Sequence, residues 1–231
     1  MPAIGILGGM GPQASAKLYE LIIAGTAKYS PAALDEDFPE IVLLNVPVPN
    51  FISNKNNMPE ARRMLIERTK LLEKAGCTIN GIACNTVHVL LPELQAATGV
   101  PFLSIPKLVA DKVKVAGYKR IGLLATPTTL NSTLYDDAIG GQSEIIRPDI
   151  EFAKQIESTI YRKLDGTLSE ADEANFKSKV QTFQEKNSLD AVILGCTELP
   201  LVYGESLDDE SVFDTLQLLA DGLLQSYFTQ S

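Results

Sequence analysis

Several residue types are scarce in this chain of 231 residues. It has no tryptophan, one histidine and three cysteines, and its 29 acidic residues outnumber the 20 basic ones, which gives a net charge of −9. A chain this acidic lacks the positive surface that nucleic acids and anionic membranes require. We therefore expect neither as a partner, and an anionic small molecule has to be bound by local hydrogen-bond donors.

Long apolar runs and paired cysteines are also missing. No segment approaches the roughly 18–20 apolar residues of a membrane span, and the N-terminal MPAIGILGGMGP lacks the basic region and long apolar stretch of a secretion signal. Three cysteines without a CxxC pair provide no disulfide framework, and free thiols suit a reducing compartment. These absences predict a soluble cytoplasmic protein.

What the chain does contain is a duplication. Residues 79–94 (INGIACNTVHVLLPEL) resemble residues 189–204 (LDAVILGCTELPLVYG), and residues 4–19 (IGILGGMGPQASAKLY) resemble residues 121–135 (IGLLATPTTLNSTLY). The shift from Cys84 to Cys196 is 112 positions, and the shift from Gly5 to Gly122 is 117. Because two separate segment pairs have nearly the same offset, we predict two similar domains of roughly 100–115 residues, near the common domain size.

Short apolar segments alternate with longer amphipathic ones along the chain. The apolar segments are rich in β-branched residues and lack polar alternation, as is typical of strands covered on both faces. We predict strands at residues 4–7, 41–46, 79–83, 102–104, 120–125, 144–146 and 191–194. We predict helices at residues 59–75, with Pro in the first turn, at 169–186, with an S-x-x-D capping pattern, and at 211–227.

The predicted fold class is α/β, because strands that alternate with helices form parallel sheets. We expect two similar domains, each a mainly parallel sheet flanked by helices, related by pseudo-twofold symmetry. The first domain comprises residues 1–105. A C-terminal helix (210–231) is expected to pack back on it, because the first copy of the repeat has no such helix. The second domain comprises residues 106–209.

Each copy of the duplication places a cysteine, Cys84 or Cys196, where a strand ends and a helix is predicted to begin. Unpaired backbone N–H groups and the positive end of the helix dipole stabilise a thiolate there. The same N–H groups, with Asn85, Thr86 and Thr197, can bind a carboxylate. Each copy therefore offers a base together with an anchor for the acid on which it acts.

A free cysteine is commonly a small buried hydrophobe, and we interpret Cys77 in this way. Two thiols at matched positions of a duplication indicate proton transfer instead. A thiolate on one side of an α-carbon and a thiol on the other exchange roles and invert the stereocentre in either direction. Donors that hold the carboxylate stabilise the developing carbanion. This chemistry is that of an amino-acid racemase.

Two ionisable residues lie close to the cysteines in sequence. His88 follows Cys84 by four residues, and Glu198 follows Cys196 by two. Two interpretations stay open for each: His88 assists the thiol or makes a structural hydrogen bond, and Glu198 plays the matching part or caps its helix. We predict no metal site, since a zinc pair of Cys84 and His88 has no second His to join it. A Cys/His hydrolase leaves Cys196 without a role.

The loop Gly9–Ala14 fits the dinucleotide-binding pattern G-x-G-x-x-A. The acidic residue expected about twenty positions further on is missing, because the next predicted strand leads to Asn45. The copy in the second half, ATPTT at residues 125–129, contains hydroxyl groups but no glycine. We therefore predict that both loops line a small pocket, to which Gly9, Met10, Asn45 and Thr126 contribute substrate-binding groups.

The motifs IGILGGMGP, ACNTVH and LGCTELPL resemble the aspartate/glutamate racemase family of cofactor-independent amino-acid racemases, from Ile4 to about Val202. The resemblance implies two α/β domains with the active site in the cleft between them, an amino-acid substrate, no cofactor and no metal, and a homodimer. It also implies site residues: Cys84 and Cys196 as the acid/base pair, Asn85, Thr86 and Thr197 on the α-carboxylate, and Thr126 facing the pocket.

The chain departs from the family where a side-chain carboxylate is recognised. An arginine is expected shortly after an N-x-P-x-x-P segment, and this chain has Phe51 there. A lysine is expected a few residues after an Ile-Tyr pair, where spacing gives Asp165 and a shift in register gives Lys163. Aspartate or glutamate is the default substrate, and the alternatives are a neutral or basic amino acid, or a non-catalytic amino-acid-binding protein on the same scaffold.

Overall fold

The chain divides into two compact units in a computed structural model that describes residues 2–51, 55–204 and 211–230. The first unit contains the residues up to Ile105 together with those from Leu216 onward, and the second contains Pro106–Thr215. The predicted domain boundary at residues 209 and 210 lies outside the described residues. None of the helices in these ranges is long and apolar enough to cross a membrane.

The first unit contains a parallel four-stranded sheet with the order β2-β1-β3-β4. Its strands are β1 (Ala3–Gly8), β2 (Glu40–Asn45), β3 (Ile79–Ile82) and β4 (Phe102–Leu103). Its helices are α1 (Pro12–Gly25), α2 (Met58–Lys74) and α3 (Leu91–Ala96), with short 3-10 turns at Thr26–Lys28, Asp35–Asp37, Lys55–Asn57 and Thr86–Leu90. Both β1 and β3 are buried along their whole length, as is typical of strands covered on both faces, and β3 includes the buried polar residue Asn80.

The second unit repeats this topology with the order β6-β5-β7-β8, and all of its strands are parallel. Its strands are β5 (Arg120–Leu124), β6 (Glu144–Ile146), β7 (Ala191–Leu194) and β8 (Val212–Asp214). Its helices are α4 (Ile105–Ala116), α5 (Pro127–Leu130), α6 (Leu134–Ile139), α7 (Ile150–Leu164), α8 (Glu170–Asn187) and α9 (Leu199–Tyr203). The predicted fold class, two parallel sheets flanked by helices, is confirmed.

The last helix, α10 (Thr215–Gln230), contributes a largely apolar face to the first unit. Leu219 and Leu223 are fully buried. A β-carbon built on Gly81 of β3 would lie 3.0 Å from a methyl group of Leu223 and 3.3 Å from one of Leu219. The missing side chain at Gly81 therefore lets the helix pack directly against the middle of the sheet.

All seven predicted strands are present, with ends that differ by at most one residue. The predicted helix at 169–186 is α8, and the S-x-x-D pattern forms a capping box in which Ser169 and Asp172 exchange hydrogen bonds. The predicted start of the last helix at residue 211 is wrong. Residues 212–214 form strand β8 instead. All three residues are buried, and β8 pairs with β7 as the last strand of the sheet before the helix begins.

Candidate active site

The candidate residues of the first unit lie at one edge of its sheet. Gly9 and Met10 follow β1, Asn45 ends β2, and Cys84, Asn85 and Thr86 follow β3. These three strands are neighbours in the sheet and are parallel, so their carboxyl ends meet at the same edge. Ligands of open α/β sheets bind outside this edge.

The glycine loop after β1 is required by close backbone packing. Gly9 has a positive φ of 97°, and a β-carbon there would lie 2.4 Å from the backbone nitrogen of Val46. The N–H of Gly9 donates to Ser15 Oγ at 2.9 Å, and the N–H of Val46 donates to the Gly8 carbonyl at 2.9 Å. The glycine thus keeps the ends of β1 and β2 together.

The two cysteines occupy equivalent places in the two sheets. Cys84 follows β3 and Cys196 follows β7, and each of these strands lies third in its sheet. Neither cysteine forms a disulfide, and both are buried, with 4% and 6% of the residue exposed. The helical segments that follow are shorter than predicted: a 3-10 turn leads into the six residues of α3, and α9 has five residues. Helical segments this short give little support to the predicted stabilisation of a thiolate by a helix dipole.

His88 makes two hydrogen bonds to the backbone. Its Nε2 accepts the N–H of Ile105 at 3.1 Å, so its Nδ1 carries the proton and donates to the Cys84 carbonyl at 2.8 Å. Burial lowers the pKa of His88 to about 4, despite the backbone hydrogen bonds that raise it. Of the two interpretations left open, this geometry favours the structural one. Both ring nitrogens are occupied by backbone hydrogen bonds, so the imidazole fixes the backbone that carries Cys84. In this arrangement it neither exchanges a proton with the thiol nor binds zinc.

The candidate residues of the second unit also gather at one sheet edge. Thr126 follows β5, and Cys196, Thr197 and Glu198 follow the neighbouring β7. The Cys196 thiol donates to Glu198 Oε2 at 3.0 Å, and the Thr197 hydroxyl donates to the same oxygen at 3.3 Å. Glu198 is only 3% exposed. Its carboxylate is therefore directed at the thiol rather than at solvent, and a role in the site accounts for it better than a helix cap, for which no side-chain hydrogen bond is present.

Tyr135 is a candidate that the sequence did not predict. It lies on α6, is fully buried, and burial raises the pKa of its phenol, as does the negative charge of a Cys196 thiolate to a smaller extent. Tyr135 is therefore close enough to Cys196 to sense its charge. The available signal in the sequence was its place at the end of the repeated segment, where it matches Tyr19. The structure shows that the two tyrosines differ, because Tyr19 is 46% exposed and Tyr135 is buried.

Of the residues predicted to recognise a substrate side chain, Phe51 lies near Cys84, whereas Lys163 and Asp165 have partners in the turn between α7 and α8. Phe51 is buried in the same apolar cluster as Cys84. Lys163 pairs with Glu173 at 2.9 Å. The carboxylate of Asp165 accepts hydrogen bonds from the hydroxyl and the N–H of Thr167, and the Thr167 hydroxyl is the larger cause of its lowered pKa.

Arg162, the other cation of this turn, forms a bidentate pair with Asp172 at 2.6 and 3.0 Å and also donates to the Thr167 carbonyl. Arg162 and Lys163 thus tie the end of α7 to the start of α8. Neither offers an uncommitted charge to a distal carboxylate, so a register shift does not restore the missing cation.

The chain is similar to known racemases over nearly its whole length. A family model described as Asp/Glu/Hydantoin racemase matches residues 7–222. The broad-specificity amino-acid racemase RacX of Bacillus subtilis is 26% identical over 227 residues, covering 97% of each protein. An aspartate racemase structure from Picrophilus torridus superposes with a TM-score of 0.82 at 28% identity, covering 98% of this chain and 94% of that one. An aspartate racemase homologue from Pyrococcus horikoshii superposes with a TM-score of 0.80 at 26% identity, covering 98% and 99%.

Proposed function

The chain belongs to the Asp/Glu/hydantoin racemase family and is an isomerase of the amino-acid racemase type, and we propose that Cys84 and Cys196 carry out its reaction. In this proposal one thiolate removes the α-proton of a free amino acid. The other thiol delivers a proton to the opposite face, and no cofactor takes part. The equivalent placement of two buried thiols after the third strand of each sheet is the observation that carries it.

The remaining edge residues supply the binding groups. Asn85, Thr86 and Thr197 are buried polar side chains beside the thiols. We propose that they and neighbouring backbone N–H groups hold the α-carboxylate, which stabilises the charge that spreads into it as the α-proton leaves. Gly9, Met10, Asn45 and Thr126 complete the pocket wall in this proposal. From the resemblance and from cysteines that form no disulfide we also propose a homodimer in the cytoplasm, which light scattering and cell fractionation test.

A non-catalytic amino-acid-binding protein is the competing function. A binder has no need for cysteine at both positions, which favours the enzyme. Incubation with single-enantiomer amino acids in D₂O separates the two, because a racemase incorporates deuterium at the α-carbon and a binder does not. Absence of exchange across a full amino-acid panel, from protein that still binds one of them, would favour the binder.

Cys84→Ser and Cys196→Ser should each abolish racemisation, since a serine hydroxyl is a far weaker acid than a thiol and supplies almost no ionised base at neutral pH. Each single variant should still exchange the α-proton of one enantiomer, because one base remains. Cys77→Ser, which changes another buried thiol, is the matched control and should retain activity. If either site variant racemises at the normal rate, that cysteine has no part in the mechanism.

We propose a neutral side chain for the preferred substrate, in place of the acidic default. A buried aromatic ring lies in the cluster around Cys84, and both cations of the α7–α8 turn are paired with acids. A site that pairs a carboxylate discriminates strongly for it, and these positions provide no free cation for such a pair. Comparing kcat/KM for aspartate, glutamate, alanine, serine, methionine, lysine and arginine tests this. A preference for aspartate or glutamate of about a hundredfold over every neutral amino acid would restore the acidic assignment.

A further inference from the structure

Strands β4 and β8 are each followed by a helix that carries the chain from one unit to the other. Each strand lies fourth in its sheet, beside the strand that leads to a cysteine. Helix α4 begins at Ile105, the last residue of the first unit before the chain enters the second. Helix α10 begins at Thr215, the last residue of the second unit before the chain returns to the first. Ile105 and Thr215 are therefore equivalent positions of the duplication.

The first unit fixes the start of α4 through an imidazole. The first N–H groups of a helix have no partner within that helix, and the N–H of Ile105 donates to His88 Nε2 at 3.1 Å. The Nδ1 of His88 donates in turn to the carbonyl of Cys84 at 2.8 Å. Both His88 and Ile105 are buried, where a hydrogen bond is stronger than in water. The first residue of this helix is thus linked to the backbone of the cysteine.

The second unit fixes the start of α10 through a hydroxyl. The Oγ1 of Thr215 donates to the carbonyl of Leu194 at 2.9 Å, and Thr215 is fully buried. Leu194 is the last residue of β7 and lies two positions before Cys196. The intervening Gly195 donates its N–H to the carbonyl of Leu124 in β5 at 2.7 Å. The backbone that leads to the thiol is therefore held by β5 through one bond and by the start of α10 through another.

We infer that Thr215 is a positioning residue for Cys196, as His88 is for Cys84. This inference rests on the proposed function, in which each thiol serves one face of the α-carbon. Proton transfer requires the sulfur to lie within hydrogen-bond reach of that carbon, and a misplacement of about 1 Å can cost about a hundredfold in rate. A side chain that fixes the end of β7 therefore controls the transfers at one face.

A bond that serves only the stability of the fold has a different effect. Its loss lowers the amount of folded enzyme, which slows every proton transfer by the same factor. Loss of the Thr215 bond should instead slow the transfers at Cys196 and spare those at Cys84. Because the equilibrium constant of a racemisation is unity, kcat/KM stays equal for the two enantiomers in both cases, so racemisation rates alone do not separate them.

Exchange of the α-proton in D₂O does separate the two cases. When the Cys84 thiolate takes the α-proton, the electron pair of the C–H bond passes to the α-carbon and its carboxylate, and the new thiol exchanges its proton for deuterium from the solvent. The electron pair then takes a deuteron from Cys84, which restores the starting enantiomer, or from Cys196, which inverts it. Displacement of Cys196 therefore favours return over inversion, and only for the enantiomer whose α-proton faces Cys84.

The experiment uses Thr215→Val, which removes the hydroxyl and keeps the shape of the side chain. Each enantiomer of the racemised amino acid is incubated in D₂O, and chiral chromatography with mass spectrometry measures deuterium in the recovered substrate and in the product. For one enantiomer the ratio of return to inversion should rise about tenfold or more. It should be the enantiomer that Cys196→Ser still exchanges. His88→Leu should raise the ratio for the other enantiomer, which Cys84→Ser still exchanges.

The ratio does not depend on how much enzyme is folded, since both products come from the same molecules. Thr215→Ser keeps the hydroxyl and should restore the ratio of the unsubstituted protein. Thr26→Val is the matched control, because Thr26 is fully buried and its hydroxyl donates to the Ile22 carbonyl at 2.9 Å, away from both cysteine segments. It should leave the ratio unchanged. If Thr215→Val does not fold, Thr215→Ala takes its place.

Iodoacetamide labelling tests the position of Cys196 without turnover. In protein that carries Cys77→Ser, labelling of each remaining cysteine is followed by peptide mass spectrometry. Thr215→Val should speed the labelling of Cys196 and not that of Cys84, because a loosened backbone exposes a buried thiol more often. If no amino acid is racemised, the proposed function fails and labelling alone decides the positioning role. If racemisation occurs and the ratio does not change for either enantiomer, or changes equally for both, the positioning role fails alone.

Discussion

Lowering the pH from 7 to 4 should destabilise this protein through His88. An imidazole takes up a proton near pH 6.5 in the unfolded chain, whereas the buried ring in the folded protein has a pKa of about 4. Between these values the unfolded state binds more protons than the folded state, so the free energy of unfolding falls as the pH falls through this window. A drop in pKa from 6.5 to about 4 corresponds to a loss of about 3 kcal/mol by pH 4.

The structure explains why the charged imidazole is disfavoured. His88 is enclosed, and its Nε2 already accepts the N–H of Ile105, so a second proton has to break that bond and add charge in an apolar site. The acidic groups whose pKa values are lowered, such as Asp172 beside Arg162, begin to lose their contribution only when the pH falls to the ordinary pKa of a carboxyl, about 4, and lose the rest as it falls to the lowered values. The two effects therefore separate along the pH axis.

The chain has one histidine, which makes the assay direct. The imidazole C–H resonances in an NMR titration belong to His88 alone, and they should stay at their neutral positions from pH 7 to about pH 5. Urea denaturation at pH 7, 6, 5 and 4 then measures the stability change, and His88→Gln, which retains a donor and an acceptor but does not titrate, should lack the His88 part of the slope. An imidazole that titrates near pH 6.5 in the folded protein would refute the reasoning.

Two further substitutions test the packing and capping described above. Gly5→Ala should lower the free energy of unfolding by about 1–3 kcal/mol, because its β-carbon would lie 2.1 Å from Oδ1 of the buried Asn80; Gly99→Ala, which meets only a glutamate oxygen at 3.3 Å, should change it by no more than about 0.5 kcal/mol. Ser169→Ala should cost about 1 kcal/mol, since it removes the capping box with Asp172. Urea midpoints measure both, and an unchanged midpoint in either variant would contradict the corresponding contact.

The strands were predictable because the central ones are short, mostly apolar segments, and even β3, which contains Asn80, shows no polar alternation. Strand β8 was not, for a physical reason. Val212 has helical spacing to Leu216, and three residues are too few to show a strand pattern. What makes them a strand is their register against Val192, Ile193 and Leu194, a pairing that no local sequence property records.

The site was predictable to the extent that the duplication marks it. Cys84 and Cys196 stand out because two copies place them alike. His88 allowed two interpretations because the group that occupies its Nε2 lies seventeen residues further along the chain. Tyr135 matches Tyr19 in the duplication, but that match gives no indication that Tyr135 lies near Cys196. Contacts made between distant segments therefore decide the roles of the surrounding groups.

The position of α10 in the first unit sets an order on folding during synthesis. Its buried Leu219 and Leu224 cover Gly81 and Gly25, and Tyr29 stacks on Phe228 at 5.4 Å. The ribosome makes the rest of this unit first and the helix last, with all of Pro106–Thr215 between them. At roughly 5–20 residues per second, that interval takes roughly 5–20 s. We therefore expect the second unit, which is continuous, to complete its fold before the first, while the face of the nascent first unit that α10 covers stays exposed until α10 has been made.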